Sequence, residues 1–271
     1  MNWTDALGRT IEIEGPPRRI VSLVPSITEA LFAFGLGKRI AGVTKYCTEP
    51  ADGVADVPKI GGTKNVDVAV IAKLKPNLVI ANVEENEKAD VDALVAAGLT
   101  VFVTYPRTVI HATAMMRTLA DITDKKAAAA PIVAAIEAEA ALARAADRDN
   151  TPPRVFCPIW RDKWMTIGPD TYIHDFLSSC GLQNVYGDSK DRYPEIELAD
   201  VAARRPDVVL LPDEPYRFQP KHVKEIAKAI PEIDSSRIHI VDGKDVSWYG
   251  PRIGDAIRRI RTTVWGSAPS L

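Results

Sequence analysis

The chain has 271 residues, 46% of them hydrophobic and 26% charged, with a formal net charge of −2. That apolar share suffices for one sizeable core or two, and the near-neutral balance counts against general nucleic-acid binding, which needs a basic face. No apolar run approaches the roughly 20 residues that cross a bilayer.

The opening, Met1-Asn2-Trp3-Thr4-Asp5-Ala6, has no basic stretch followed by an apolar one. The expectation from this is a cytoplasmic protein, or a periplasmic or other extracytoplasmic one if a signal was removed. A short hairpin around Gly8 is predicted before Pro16-Pro17. Arg19 to Leu23 has a buried-strand pattern. Ser26-Ile27-Thr28-Glu29 reads as a capping box, with the helix behind it closing near Gly35-Leu36-Gly37. Ile40 to Val43 is the next strand, Asp90 to Ala97 a helix and Thr100 to Thr104 a strand. From Thr108 to Asp147 the pattern is helical, with a break near Asp124. Pro131 marks the start of the regular part of the long Ala-rich helix, and Asn150-Thr151-Pro152-Pro153 marks its end. A second lobe opens with strand Arg154 to Cys157. A helix from Thr171 to Cys180 is predicted, capped by Asp170 and closed by Gly181. Strands at Val208–Leu211 and Ile238–Val241 and a last helix from Ile253 to Val264 complete the chain. Strands alternating with helices imply parallel sheets.

Two stretches read as copies. Asp67 to Ile80 and Glu197 to Leu210 each give a short helix, a Pro-marked turn and an apolar strand. Pro76 and Pro206 lie 130 positions apart, and at that offset Ala69 meets Ala199, Ala72 meets Ala202 and Glu84 meets Glu214. A repeat this long is no solenoid period. It predicts two similar lobes with a ligand held between them: residues 1–107 as an N-terminal α/β lobe, 108–150 as a helical connector and 151–271 as a C-terminal α/β lobe.

Ligands of parallel α/β lobes bind beyond the carboxyl ends of the strands. In the first lobe those loops hold Ser26, Tyr46, Glu84, Glu85 and Arg107. In the second they hold Trp160, Arg161, Trp164, Tyr216, Trp248, Tyr249 and Arg252. Aromatic rings with Arg between them suit a large, flat, partly apolar ligand with polar edges. Core roles compete with this reading, evenly for Phe218 and Tyr193. For Trp248 and Tyr249, beside the turn-like Gly250-Pro251, a core role for both is not expected. Arg252 is expected to reach a carboxylate such as Glu84 or Glu85, or a ligand amide. The histidines His111, His174, His222 and His239 form no metal-binding pair, and Cys47, Cys157 and Cys180 match no zinc or redox spacing, so no metal site is expected. Neither a nucleophile elbow nor a phosphate loop is present, so no catalytic residue is assigned and an enzyme is not expected.

The run from Arg18 to Leu31 resembles the opening of the cobalamin- and iron-siderophore-type binding proteins of ABC importers. So do Val43-Thr44-Lys45-Tyr46, Gly61-Gly62-Thr63-Lys64-Asn65, Leu74 to Val79 and Tyr249-Gly250-Pro251-Arg252-Ile253. The resemblance spans Asp5 to Trp265 and comes nearest to the cobalamin-binding branch. It implies an α/β fold of two small parallel-sheet lobes joined by one long backbone helix, with a ligand cleft between them. It implies non-enzymatic binding of a chelate or tetrapyrrole-like ligand, cobalamin or another corrinoid, with no cofactor required. Alternatives on the same fold are a siderophore or haem-type iron-chelate binder, and a cytosolic corrinoid-handling protein or enzyme. The implied partners are the small-molecule ligand and an ABC permease. Three departures accompany the resemblance. Cobalamin binders place Trp on the first-lobe rim, where this chain has Gly61 and Asn82. Docking members carry a Glu on each lobe where this chain has Ala69 and Ala199, with Asp67 and Glu197 close by. The third is the missing signal.

Overall fold

The computed structural model describes residues 1–146 and 151–266. By contacts the chain divides into two units. The first comprises Met1–Pro106, Ile110–Ala134 and Tyr249–Pro251; the second comprises Arg107–Val109, Ala135–Trp248 and the chain from Arg252 onward.

The first unit begins with the antiparallel pair β1 (Asn2–Thr4) and β2 (Thr10–Glu12), turning at Gly8, whose φ of 74° suits a residue without Cβ. Next come β3 (Ile20–Ser22), α1 (Pro25–Ala33), β4 (Ile40–Val43), the short α2 (Ala51–Val54), α3 (Val68–Lys73), β5 (Leu78–Asn82), α4 (Lys88–Ala96) and β6 (Val101–Thr104). α5 (Val109–Ile122) and the 21-residue α6 (Lys126–Ala146) follow, separated at Asp124 with φ 57°. The sheet is all parallel, in the order β4-β3-β5-β6. Ile20, Val21, Leu78, Val79 and Ile80 are fully buried along its middle strands, as continuous apolar runs in a sheet covered on both faces must be. The edge at β6 is closed by the N-terminal turn. The Ala6 amide donates to the Val103 carbonyl, and Arg9 donates both to the Val101 carbonyl and to Asp5.

The second unit carries β7 (Arg154–Phe156), β8 (Pro158–Trp160), β9 (Met165–Thr166), α7 (Tyr172–Ser179), β10 (Gln183–Asn184), α8 (Leu198–Ala203), β11 (Val208–Pro212), α9 (Pro220–Ala229), β12 (Ile238–Val241), α10 (Gly243–Ser247) and α11 (Ile253–Trp265). Its main sheet is parallel in the order β10-β7-β11-β12. Chain order across the two sheets is therefore the same. In each, the first strand lies second from the edge, and the connection reverses between the first and third strands. Phe156, Val209, Leu211, Phe218 and Ile226 form the core beside it.

The repeat read from the sequence reappears as one structural device used twice. Lys75 and Arg205 both hold left-handed backbone, φ 48° and 47°, just before Pro76 and Pro206. Arg19, ahead of β3, donates to the Leu74 carbonyl at the end of α3, while Asn77 Oδ1 accepts the Arg18 and Arg19 amides. Arg154, at the start of β7, donates to the Arg204 carbonyl at the end of α8, while Asp207 accepts the Arg154 amide. Each clamp thus satisfies helix-end carbonyls that have no partner within the helix.

Several local expectations change. α1 starts at Pro25 with Val24 as its N-cap and no side-chain cap, so Ser26-Ile27-Thr28-Glu29 is not a capping box. Proline's fixed φ begins the helix one residue early and leaves Ser26 inside its first turn. Thr171, not Asp170, caps α7, its hydroxyl accepting the His174 amide. α6 starts at Lys126 and carries Pro131 within it. The stretch from Pro158 to Trp164, expected as loop, contributes β8 to the antiparallel pair β8–β9. Asn150, expected at the end of the long helix, lies outside the described residues.

Candidate functional site

Parallel sheets bind at the carboxyl ends of their strands, where the chain order reverses. In the first unit that point lies between β3 and β5. Ser26, which follows β3, is only 2% exposed, inside the first turn of α1. The loop after β5 is held from beneath by two buried asparagines. Asn82 Oδ1 accepts the amides of Glu84 and Glu85, and Asn86 Oδ1 accepts the Asn82 amide. Asn86 Nδ2 in turn donates to the carbonyls of Leu23 and Thr63, tying the loop to the end of β3. Glu84 and Glu85 are half-buried on this base. Tyr46, after β4, is 52% exposed, with the Lys45 ammonium 5.0 Å from its ring centre.

In the second unit the reversal lies between β7 and β11, and aromatic rings gather there. Trp160, at the end of β8, is 42% exposed and meets Tyr216 edge-on at 5.6 Å. Tyr216 lies 4.9 Å from Phe218, and Trp164 stacks on Phe218 at 5.9 Å. Phe218 is buried in the core and serves as the floor on which the outer rings rest. His222 closes the group at 5.6 Å from Tyr216. Arg161 is bound to Glu225 by two hydrogen bonds, at 2.8 and 3.3 Å. A hollow of about 440 Å³ lies beside it, lined by Arg161, Trp164, Glu195 and Glu197 among others. A larger one, about 720 Å³, opens near β10. It sits away from the reversal point, and its arginines Arg154 and Arg204 are spent on the Arg204 carbonyl, the Val185 carbonyl and Asp188.

Trp248 and Tyr249 depart from expectation. Both are buried, at 7% and 5% exposure. A short helix, α10, follows β12 and turns the chain so that Trp248 lies inward. The Trp248 indole N–H donates to Glu214 Oε1 at 2.7 Å, and its carbonyl accepts from the Tyr172 hydroxyl. Arg252 and Lys244 place cations 4.8 and 5.3 Å from the Trp248 ring. Tyr249 groups with the first unit, where a Cβ on Gly250 would approach the Ser26 carbonyl to 2.8 Å. Arg252 lies within 4 Å of Asp245 and Asp242. Asp245 is buried and also takes two 2.6 Å bonds from Arg259. Arg107, expected on the first lobe, groups with the second unit and is paired with Asp170 at 2.6 Å. Tyr193 is 39% exposed beside Arg192.

Sequence reading left Glu214 out of the site, although its pairing with Glu84 at the 130-residue offset was the signal that could have found it. Glu214 follows β11 and is half-buried. Burial pushes its carboxyl upward; the Trp248 hydrogen bond and Lys244 pull it back, and Asp242 and Asp213 add to the rise. Gly243 is what lets it fit. A Cβ at Gly243 would collide with Glu214 Cγ and come within 2.6 Å of the Glu214 backbone nitrogen.

Among the described residues, no group of three or more His, Cys, Asp and Glu is arranged to hold a metal, and no helix is long and apolar enough to cross a membrane. Asp67 caps α3 by accepting the Val70 amide, while Glu197 sits at the N-cap of α8 with no such bond. Both are exposed, as are Ala69 and Ala199.

Comparison with known proteins places these features in context. The chain is 25% identical over 193 residues to the vitamin B12-binding protein of Yersinia pestis, covering 71% of this chain and 69% of that one. The apo periplasmic heme-binding protein RhuT of Roseiflexus sp. RS-1 superposes with a TM-score of 0.78 at 26% identity, covering 92% of this chain and 98% of that one. The periplasmic vitamin B12-binding protein BtuF of Vibrio cholerae gives a TM-score of 0.78 at 20% identity, covering 92% and 97%. These neighbours share the α/β fold of parallel sheets described above. The periplasmic binding protein family model matches residues 20–232, most of the chain, and the protein belongs to that family.

Proposed function

We propose that this chain binds a large, flat chelate of the corrinoid class, cobalamin or a relative, and does no chemistry on it. The ring group at the strand reversal of the second unit carries the reading. Trp160 and Tyr216 offer aromatic faces and edges, anchored on a buried Phe218. Such rings lose little freedom on binding a flat apolar surface, and the flanking polar groups set its orientation. The likeness to a vitamin B12-binding protein over most of the chain supports the same class. Tyr46, Glu84 and Glu85 are the first unit's candidate contacts, at its own strand ends, with the buried Ser26 supporting them from behind. Arg107, Arg161, Trp164, Trp248, Tyr249 and Arg252 complete the proposed set. The last three act from behind, because Trp248 and Tyr249 are buried and Arg252 is engaged with Asp245.

A haem or siderophore chelate is the second reading, favoured by the 26% identity to a heme-binding protein across 92% of the chain. For a partner we propose an ABC permease, approached through the exposed carboxylates Asp67 and Glu197 at the matching N-caps of α3 and α8. The proposed place of action is outside the cytoplasm, in keeping with the family's name.

Titration with hydroxocobalamin, followed by tryptophan fluorescence, tests the reading. Quenching with a micromolar or tighter Kd is expected, a free energy of about −8 kcal/mol or better. Absence of both quenching and calorimetric heat removes the corrinoid reading, and saturable binding of haemin in its place would establish the second.

A further inference from the structure

We propose that Glu214 is a specificity-determining residue of this surface, selecting ligands whose rim carries hydrogen-bond donors such as amides over ligands whose rim carries carboxylates. The inference rests on the proposed function and concerns which flat chelates the ring group accepts.

Four observations lead to it. Glu214 lies in the loop that follows β11, two residues from Tyr216, whose ring meets Trp160. It therefore shares the strand reversal with the exposed Trp160 and the half-buried Tyr216. Its stem is fixed on one side by Gly243, where a Cβ would come within 2.6 Å of its nitrogen and 2.7 Å of its carbonyl oxygen. Its carboxylate is fixed on the other side by the Trp248 indole N–H at 2.7 Å. Among the described residues that indole is the carboxylate's hydrogen-bond partner, and one ionised carboxylate has about four acceptor positions. The group is half-buried and carries no ion pair within 4.0 Å among the described residues. A carboxylate held this firmly, with acceptor capacity left over, suits a donor-bearing ligand edge at no cost in side-chain ordering. A ligand carboxylate brought to the same place meets a like charge in a partly desolvated setting, which is strongly unfavourable.

Corrinoids and haem differ in this respect. A corrinoid rim bears amide side chains, each an N–H donor, whereas haem bears two ionised propionates. Glu214 therefore favours the first class, and Glu214→Gln keeps the oxygen that accepts from Trp248 while replacing the other oxygen with an N–H donor.

The test compares dicyanocobinamide with dicyanocobyrinic acid, which share the corrin ring but differ in amide against carboxylate rims. Each is titrated into the wild type and into E214Q, with melting curves for both proteins. In the wild type the amide ligand is expected to bind roughly 10-fold or more tightly than the acid, as a site built around one polar group rejects its mismatch. In E214Q the preference is expected to fall by roughly 10-fold, with the acid gaining affinity and the melting temperature little changed. A preference that is the same in both proteins overturns the role of Glu214 and leaves corrinoid binding standing. Equal wild-type affinity for the two ligands overturns it without any variant, so a poorly folded E214Q does not rescue it. Failure of the wild type to bind either ligand removes the proposed function and this inference with it.

Discussion

Trp248 shows how one side chain can serve stability and presentation together. Its ring is buried, its N–H is bound to Glu214 and its faces lie near Arg252 and Lys244. Trp248→Ala is expected to cost about 3–5 kcal/mol of folding stability, the usual range for emptying a large aromatic site. Trp248→Phe keeps most of the volume and removes the bond to a charged partner, with an expected loss of about 1.5–3 kcal/mol. Urea denaturation of both variants checks the order; a Phe variant as damaged as the Ala variant would show that the N–H bond both variants lose, not the ring's volume, dominates. A second residue-scale expectation concerns acid. His174, His222 and His239 are all held below the ordinary value of 6.5, by burial first, with Lys221 and Arg161 adding to it for His222 and Arg237 for His239. His222 also needs its neutral form because Nδ1 accepts the Gln219 amide. The unfolded chain therefore takes up these protons first. Stability falls as pH drops through 6.5 and goes on falling to the lower folded-state values, by at most about 1.4 kcal/mol per pH unit for each proton. Glu214 acts in the opposite direction. Its carboxyl is raised, so protonating it as pH falls toward 4.5 relieves the folded state. Denaturation midpoints at pH 7.5, 6.5, 5.5 and 4.5 should decline, less steeply in a His174→Gln/His239→Gln variant, with Glu214→Gln falling more steeply than the wild type on the approach to 4.5.

At the scale of elements, the arginine clamps are the devices that both halves share. Arg154 ties the start of β7 to the end of α8 through the Arg204 carbonyl at 2.7 Å. Arg154→Ala should cost about 0.5–1.5 kcal/mol, the net worth of such bonds, and Arg19→Ala less, since Arg19 is exposed. Equal melting temperatures for wild type and both variants would show that the repeat is inherited without being used for stability. The repeat itself was legible because Pro76 and Pro206, with the residues flanking them, fix a strained turn that few sequences satisfy. The parallel sheets were legible from apolar runs alternating with helices. What was not legible depends on geometry that sequence spacing does not carry. Ser26 matches a capping box in pattern, but Pro25 takes the first helical position. The turn-like Gly250-Pro251 argues against a core role for both Trp248 and Tyr249, whereas α10 turns Trp248 inward and Gly250 lies close to the Ser26 carbonyl. Arg107 follows the last strand of the first sheet in sequence, yet Asp170 draws it to the second unit. Glu214 gave no local signal at all, because its fit depends on the missing Cβ of a glycine 29 residues further on.

At the scale of the whole chain, each unit has its own parallel sheet and its own buried strands, the requirements for a cooperative folding unit. Trp160, Tyr216, Glu214 and Trp248 all belong to the second unit. A ligand that binds the folded form and not the unfolded one stabilises it by RT ln(1 + [L]/Kd), about 2.7 kcal/mol at a hundred times Kd. For a chain of this size each kcal/mol moves the midpoint by about 2–4 °C, so saturating corrinoid should raise it by roughly 5–10 °C. Trp160 separates binding from folding, because it is 42% exposed. Trp160→Ala should leave the ligand-free midpoint within about 2 °C, since exposed substitutions change stability by no more than about 0.5 kcal/mol. The same variant should lose about 1–3 kcal/mol of binding, as an aromatic anchor does. Its ligand-induced shift at a fixed corrinoid concentration should therefore shrink to a few degrees or less. Differential scanning calorimetry of the two proteins, with and without dicyanocobinamide, reads all four midpoints. An undiminished shift in the variant would take Trp160 out of the binding surface, and a wild type that gains nothing from the ligand would leave the ring group with no corrinoid to bind.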